Sequence, residues 1–300
     1  MKRIVLYIPS QHYILKFDER KVDGVDISQK QLWNYNMPKL LVKVLRRLGP
    51  FGAKVVSNID QDRGKYDTAI FPEAEMTRSL LRYIIKKPIA KRQIVIFSNK
   101  VSEKTKYILS ESKKNIELYT YNLEDTFIYP IKYQWQCWNK DLIGEKTQKN
   151  ESDIFFVGEA KRRYEDIIKI KEYCESHGLK TDFTIVSNGK EPFTTSERLP
   201  YEKCLEKMRN TLAILDVVGE GNVGLTYRPL EALFLKKKLI TNYNAICKYD
   251  FYEENSKNIF IMGVDDIKTL PEFIKSPFQE SNFDMSKYDI ETWIKRLSGC

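Results

Sequence analysis

Short runs of β-branched and aromatic residues alternate along the chain with stretches whose apolar positions recur every three or four residues. This is the pattern of βαβ units and not of a meander or a helix bundle. The runs form two series. The first predicts strands at residues 3–8, 53–57, 68–71, 93–97 and 116–119, the second at 153–157, 181–186, 212–216, 238–241 and 258–262. Between them, residues 129–150 hold Pro130, two Trp and a polar run from Gly144 to Asn150, which puts a domain boundary near residue 150. The expected organisation is a first domain over 1–150, a second over 151–285 and a closing segment over 286–300, where Ile290, Trp293, Ile294 and Leu297 fall at helical spacing.

Two helices of the first half stand out. Pro38 suits a first helical position, with Leu40, Leu41, Val44, Leu45 and Leu48 as an inward face and Gly49-Pro50 as a stop. A second helix over 76–87 turns Leu80, Leu81, Ile84 and Ile85 inward. The polar faces carry Lys39, Lys43, Arg46 and Arg47 on one helix and Arg78, Arg82 and Lys86 on the other.

Composition narrows the class. With 300 residues, 42% hydrophobic and 30% charged, and only 13 Gly and 11 Pro, the chain is neither fibrous nor disordered. No run approaches the 18 or so apolar residues of a membrane span, and the apolar run over 4–9 is too short for a signal peptide. Five cysteines stand 37, 30, 43 and 53 residues apart, with two histidines in the whole chain, so neither a zinc site nor a disulfide framework is expected. A cytoplasmic protein follows as the expectation. The charge is uneven: residues 1–150 hold 28 Lys+Arg against 16 Asp+Glu, a net +12, and residues 151–300 hold 22 against 25, a net −3. Such asymmetry points to an anionic partner for the first half, against the plainer reading of a lysine-rich solvated surface.

The most informative stretch is LAILDVVGEGNVGLTYRPLEALFLKKKLITN, residues 212–242. A buried strand enters a loop with Gly219, Gly221 and Gly224, and a helix opens at Pro229 with Arg228 as its cap and Glu231 in its first turn. A strand, a glycine-bearing loop and a helix start form a place where backbone N–H groups face a diphosphate. Glu231 could accept hydrogen bonds from ribose hydroxyls and Arg228 could meet phosphate. The competing reading makes Glu231 a complement to the helix dipole and Arg228 a surface cation.

The segments GLTYRPLEAL (224–233), KKKLIT, YDFY (249–252) and NIFIM (258–262), with DIFFVGEAKRRYEDIIKI (153–170) and YEKCLEKMRNTLAILD (201–216), resemble the donor half of bacterial GT-B-fold glycosyltransferases. The narrower likeness is to those of lipopolysaccharide and capsular polysaccharide assembly. The resemblance covers most of residues 151–265 and is weak before 150. It implies two Rossmann-like domains facing each other across a cleft, the last helix crossing back to the first domain, and a nucleotide-sugar donor held by the second. It places Glu231 on the ribose, Arg228, Thr226 and Gly224 near the diphosphate or the transferred sugar, and Lys161 and Arg163, after Gly158, on the diphosphate. The sequence departs from the wider pattern, since the position eight before Glu231 is Val223, with Glu220 a possible substitute, and Glu159 sits among the expected cations.

The resemblance further implies that helix ends and cationic side chains, and no metal or cofactor, meet the donor phosphates. Asp60-Gln61-Asp62 reads as a solvated turn. His12, just beyond the first strand, has a side chain suited to deprotonating a sugar hydroxyl, with Asp18 and Glu19 as rivals, and a retaining reaction needs no base. His177, in Ser-His-Gly, reads as part of a helix end. The implied acceptor is lipid-linked or a lipopolysaccharide or capsule oligosaccharide, reached from an anionic membrane surface. No nucleic-acid partner is expected, because neither an aromatic RNP-like strand nor a recognition helix is evident. The alternative is a non-catalytic nucleotide- or nucleic-acid-binding protein that uses the basic first half.

Overall fold

A computed structural model describes the chain except for residues 9–21, 35, 47, 113–114, 146–149, 190, 220–223 and 300, and the side chains of Ile8 and Lys39. The chain divides into two compact units, Met1–Gln136 with Ile290–Cys300, and Cys137–Asp289.

The first unit is built on a parallel sheet in the order β2-β1-β3-β4-β5-β6. Its strands are β1 (Lys2–Ile8), β2 (Val25–Gln31), β3 (Thr68–Pro72), β4 (Arg92–Phe97), β5 (Glu117–Thr120) and β6 (Lys132–Tyr133). Four of them fall where the apolar runs predict. Val5, Ala69, Phe71, Ile94 and Val95 are fully buried, as expected of parallel strands covered on both faces.

Residues 53–57 do not form the expected strand. After α1 (Lys39–Leu45) the chain turns at Gly49, φ +72°, into α2 (Gly49–Val56), with Pro50 in the first turn and Ala53 and Val56 packed into the core. A Gly-Pro pair can open a helix as well as close one. The strand beside β1 is instead β2, whose sequence VDISQKQ buries only Val25 and Ile27 at the sheet edge and so carries almost no apolar signal. The inward face expected on residues 38–48 is also revised: Leu40, Leu41, Val44 and Leu48 are exposed, and Pro38 is the residue before the first turn. The reason is that α2 and α3 (Arg78–Lys86), through Ala53, Val56, Leu80, Leu81 and Ile84, supply the apolar cover, and Val42 is the buried residue of α1.

At the start of α3 the Thr77 hydroxyl accepts the Leu80 N–H at 3.2 Å. Arg78 and Arg82 of α3 both reach Glu111, at 2.6 and 2.7 Å, on α4 (Lys106–Glu111), and Arg46 pairs with Glu75 at 3.1 Å. A further helix, α5 (Leu123–Ile128), links β5 to β6.

Asp60-Gln61-Asp62 is not a solvated turn. It belongs to a 3-10 turn, Ile59–Asp62, in which Asp62 is 1% exposed and accepts the Tyr7 hydroxyl at 2.9 Å and the Lys30 ammonium. Tyr7 and Lys30 are register partners on β1 and β2, so only the folded sheet brings them to one carboxylate.

The second unit carries a parallel sheet in the order β12-β11-β10-β7-β8-β9. In chain order its elements are β7 (Ser152–Glu159), α6 (Tyr164–Ser176), β8 (Thr181–Val186), β9 (Thr194–Thr195), α7 (Tyr201–Arg209), β10 (Thr211–Asp216), α8 (Tyr227–Phe234), β11 (Lys238–Thr241), α9 (Tyr252–Asn255), β12 (Ile259–Ile261) and α10 (Leu270–Lys275). One core cluster joins Ile154, Phe156, Ala213, Leu215 and Ile240 of the strands to Ile167, Ile170 and Cys174 of α6 and Leu270 and Ile274 of α10. His177 follows α6, stacked on Tyr173 with its ring nitrogen 2.8 Å from the Tyr173 carbonyl.

The chain closes with α11 (Ile290–Ser298), grouped with the first unit; its Ile290, Trp293, Ile294 and Leu297 are buried, and Arg92 of β4 donates to the Leu297 carbonyl at 2.7 Å. Among the described residues no helix is long and apolar enough to cross a membrane.

Candidate functional site

In the second sheet the chain moves from β7 through β8 to β9, then returns to the other flank of β7 and continues through β10, β11 and β12. The strand order therefore reverses between β7 and β10. The crevice beyond the carboxyl ends of two such strands is where open α/β sheets take ligands.

One wall is the end of β7. Gly158 and Glu159 close the strand, and a 3-10 turn, Lys161–Arg163, leads into α6. Arg163 folds back over Gly158: its Nε donates to the Glu159 carbonyl at 2.9 Å and its Nη1 to the Val217 carbonyl just after β10. A Cβ at Gly158 would stand 2.8 Å from Arg163 Nη2 and 3.0 Å from the Phe156 ring, so glycine here is what lets the guanidinium lie across the strand end. Burial pulls the Arg163 guanidinium below its ordinary pKa. Lys161 and Arg198 both pair with Glu159.

The facing wall is the end of β10 and the start of α8. Asp216 closes β10 at 3% exposure, and the Thr226 hydroxyl donates to it at 3.0 Å. Burial lifts the Asp216 carboxyl to about 6, against the opposing pull of Thr226, Arg228 and Arg163. Gly224 takes φ +107°, a conformation that disfavours other residues, and its N–H donates to the Tyr243 hydroxyl at 3.2 Å.

The helix begins two residues earlier than the Pro-based expectation: Thr226 is its cap and Tyr227 its first residue, with Pro229 third and Glu231 fifth. Proline is tolerated there because the opening N–H groups of a helix have no partner within it. Glu231 is therefore not a solvated first-turn carboxylate. It is 1% exposed, pairs with Arg228 through one oxygen, and accepts the Tyr201 hydroxyl at 2.8 Å through the other. Trp138 Nε1 in turn donates to the Tyr201 hydroxyl at 2.9 Å. Arg228 also reaches the Met208 sulfur at 3.3 Å and the Val157 carbonyl at 3.4 Å, which places its guanidinium behind the end of β7.

The fold thus brings Gly158, Lys161, Arg163, Thr226, Arg228 and Glu231 to one strand-end crevice, with Gly224 in the loop between the walls. His12, Asp18, Glu19, Glu220 and Val223 lie outside the described residues. Four participants are absent from the sequence reading. Asp216 was legible as a polar residue ending an apolar strand. Tyr201, Trp138 and Arg198 gave no signal, because their partners lie 30 or more residues away. Two guanidinium groups and the amino ends of α6 and α8 make a crevice suited to a multiply charged anion.

No protein-family model matches the chain, and no curated protein matches its sequence. Solved structures do. The DNA-modifying enzyme beta-glucosyltransferase, determined with and without its substrate uridine diphosphoglucose, is similar over 99% of this chain and 94% of that chain, with a TM-score of 0.50 and 11% identity. A T4 phage BGT in complex with UDP-glucose is similar over 100% of this chain and 94% of that one, with a TM-score of 0.48 and 12% identity. At such identity the first likeness speaks to architecture, and it agrees with the sheets: the chain has the two Rossmann-like α/β domains of the GT-B fold.

Proposed function

We propose that this chain is a glycosyltransferase that takes a nucleotide sugar in the crevice of its second unit and passes the sugar to a hydroxyl of its acceptor. The observation that carries the reading is the convergence of Arg163 and Arg228, with Glu231 behind the latter, at the strand-order reversal of a Rossmann-like sheet.

When the acceptor oxygen attacks the anomeric carbon, the bond to the diphosphate breaks and negative charge grows on the departing phosphate. Guanidinium groups already fixed by backbone carbonyls meet that charge without reorganising, which is the most effective form of electrostatic stabilisation. Arg163 and Lys161 serve it from the β7 side, and Arg228 and Thr226 from the α8 side, with side-chain cations in the role a divalent metal fills elsewhere. Glu231 is kept as the proposed ribose residue; it is 1% exposed, so in the ligand-free protein it holds Arg228 in place, and ribose hydroxyls would reach its carboxylate by taking the place of the Tyr201 hydroxyl. His12 is retained as the proposed base for an inverting transfer, with Asp18 and Glu19 as alternatives.

The test is a screen of nucleotide sugars for thermal stabilisation and for hydrolysis. A donor at 100 times its Kd adds about 2.7 kcal/mol. Failure of every nucleotide and nucleotide sugar to stabilise the protein would sink the reading.

For the acceptor, the net +12 of residues 1–150 supports a polyanionic carrier. The resemblance of the donor half favours a lipid-linked or lipopolysaccharide acceptor at an anionic bilayer. Arg46, Arg78 and Arg82 already have carboxylate partners, which leaves fewer cations for a bilayer than the sequence suggests. A second reading, DNA, is favoured by the DNA-modifying enzyme that shares the fold, and it reopens the expectation of no nucleic acid. Radiolabelled sugar transfer to DNA, set beside sedimentation with anionic and neutral vesicles at low and high salt, separates the two.

A further inference from the structure

Glu159 is an acidic residue among the cations that the proposed donor site requires. It closes β7, yet its carboxylate is not buried in the sheet. Lys161 pairs with one oxygen and Arg198 with the other. Lys161 opens the turn before α6 and holds a left-handed backbone, φ +42°, a conformation that a residue with a Cβ keeps only where its surroundings impose it. Arg198 comes from the segment between β9 and α7, on the opposite flank of β7 from β10. The Lys161 and Arg198 side chains are each 73% exposed and that of Glu159 is 28% exposed, so both pairs stand at the rim of the crevice, where partners exchange easily. Lys161 first, and then Arg198, hold the Glu159 carboxyl below its ordinary range, so it stays charged at neutral pH.

The cations of the crevice thus fall into two groups. Arg163 is tied to backbone carbonyls and Arg228 to buried Glu231, and neither needs to change partner to present a face to a ligand. Among the described residues, Lys161 and Arg198 share a single carboxylate of this same rim.

We propose that Glu159 is a built-in counter-anion that holds Lys161 and Arg198 in the ligand-free protein, and that the donor's diphosphate displaces it, which makes Arg198 a donor-binding residue alongside Lys161. The inference rests on reading the crevice as a nucleoside-diphosphate site. A diphosphate carries more charge and more acceptor oxygens than one carboxylate, so it wins the exchange, whereas an uncharged nucleoside gains nothing from it. Glu159 then keeps two long cationic side chains in place before the ligand arrives, at the expense of competing with it. This gives a reason for an acidic residue at a position where the donor needs the opposite charge.

The experiment is calorimetric titration of wild type, Glu159→Gln, Arg198→Gln and the double variant with UDP, CDP, ADP, GDP and dTDP, each set against its own nucleoside. Glu159→Gln is expected to tighten the preferred diphosphate roughly three- to tenfold, the scale of two exposed ion pairs released. It should leave the nucleoside unchanged. Arg198→Gln is expected to weaken the diphosphate by a similar factor, again without effect on the nucleoside, and to reduce the gain from Glu159→Gln in the double variant. A Glu159→Gln protein that binds the diphosphate as wild type does, or more weakly, overturns the proposal. So does an Arg198→Gln protein with wild-type affinity, a readout that stands if Glu159→Gln fails to fold. A wild-type protein that binds none of the five diphosphates overturns the donor reading itself, and the two failures are thereby distinct.

Discussion

Replacing Glu231 by Leu removes the charge opposite Arg228 and the acceptor of Tyr201 in one step. Glu231 is 1% exposed, and the side chain of Arg228 is 21% exposed, so the variant leaves a largely buried guanidinium without its counter-charge. Breaking such a pair from one side costs about 3–5 kcal/mol, and the partial exposure of Arg228 puts this case near the lower figure. The orphaned Tyr201 hydroxyl, which donates to Glu231 at 2.8 Å, adds to the loss. That hydrogen bond contributes about 1 kcal/mol. The sum is about 4 kcal/mol, and for a unit of this size each kcal/mol moves Tm by about 2–4 °C, so the variant should melt roughly 8–16 °C below wild type. Differential scanning calorimetry measures it directly. The double variant Arg228→Met with Glu231→Leu removes both charges together and should regain most of that loss, because well-packed apolar residues replace buried ion pairs at little or no penalty. Both variants should lose affinity for the donor diphosphate, which separates the stability effect from the binding effect. A single Glu231→Leu protein that melts with wild type would refute the buried-pair account, as would a double variant no more stable than the single one.

Asp216 gives a pH test. Its folded carboxyl titrates at about 6 against an ordinary 3.8, so the folded state keeps a proton that the unfolded chain releases. The contribution is fully present below pH 3.8 and is lost as pH rises through 6, on the order of 3 kcal/mol in all. Asp216→Asn should abolish that fall, and urea melts from pH 4 to 7 that keep the wild-type slope would refute it. Gly158→Ala pushes a methyl against Arg163 Nη2, 2.8 Å away at the far end of a flexible side chain, and against the buried Phe156 ring at 3.0 Å; it should displace the guanidinium, weaken the diphosphate about tenfold and lower Tm through the ring contact. An unchanged Kd in a titration would show that Arg163 does not act from this position. Arg163→Gln should weaken a nucleoside diphosphate more than its nucleoside, and equal losses by isothermal titration would remove Arg163 from the phosphate site.

The sequence by itself determined the α/β class, the two series of parallel strands and most of their positions, because a strand buried on both faces carries a continuous apolar run, as β3, β4 and β10 do in Ala69–Phe71, Ile94–Phe97 and Leu212–Leu215. It also determined which backbone loops carry the glycines and cations of the crevice, since Gly158, Lys161, Arg163, Gly224, Thr226 and Arg228 sit where a strand ends and a helix begins. It misassigned residues 53–57 and passed over β2, because an edge strand with two buried positions and a helix opened by Gly-Pro both lack a distinctive local pattern. What only the tertiary structure decided is the environment of each charge. Glu231 read as a ribose ligand or a first-turn complement to the helix dipole, because nothing near it in sequence says that it is buried against Tyr201, itself held by Trp138. Asp62 read as solvated because Tyr7 and Lys30 reach it only once β1 and β2 are in register. Burial and pairing depend on residues distant in the chain, so the chemistry of these carboxylates became legible only with the fold.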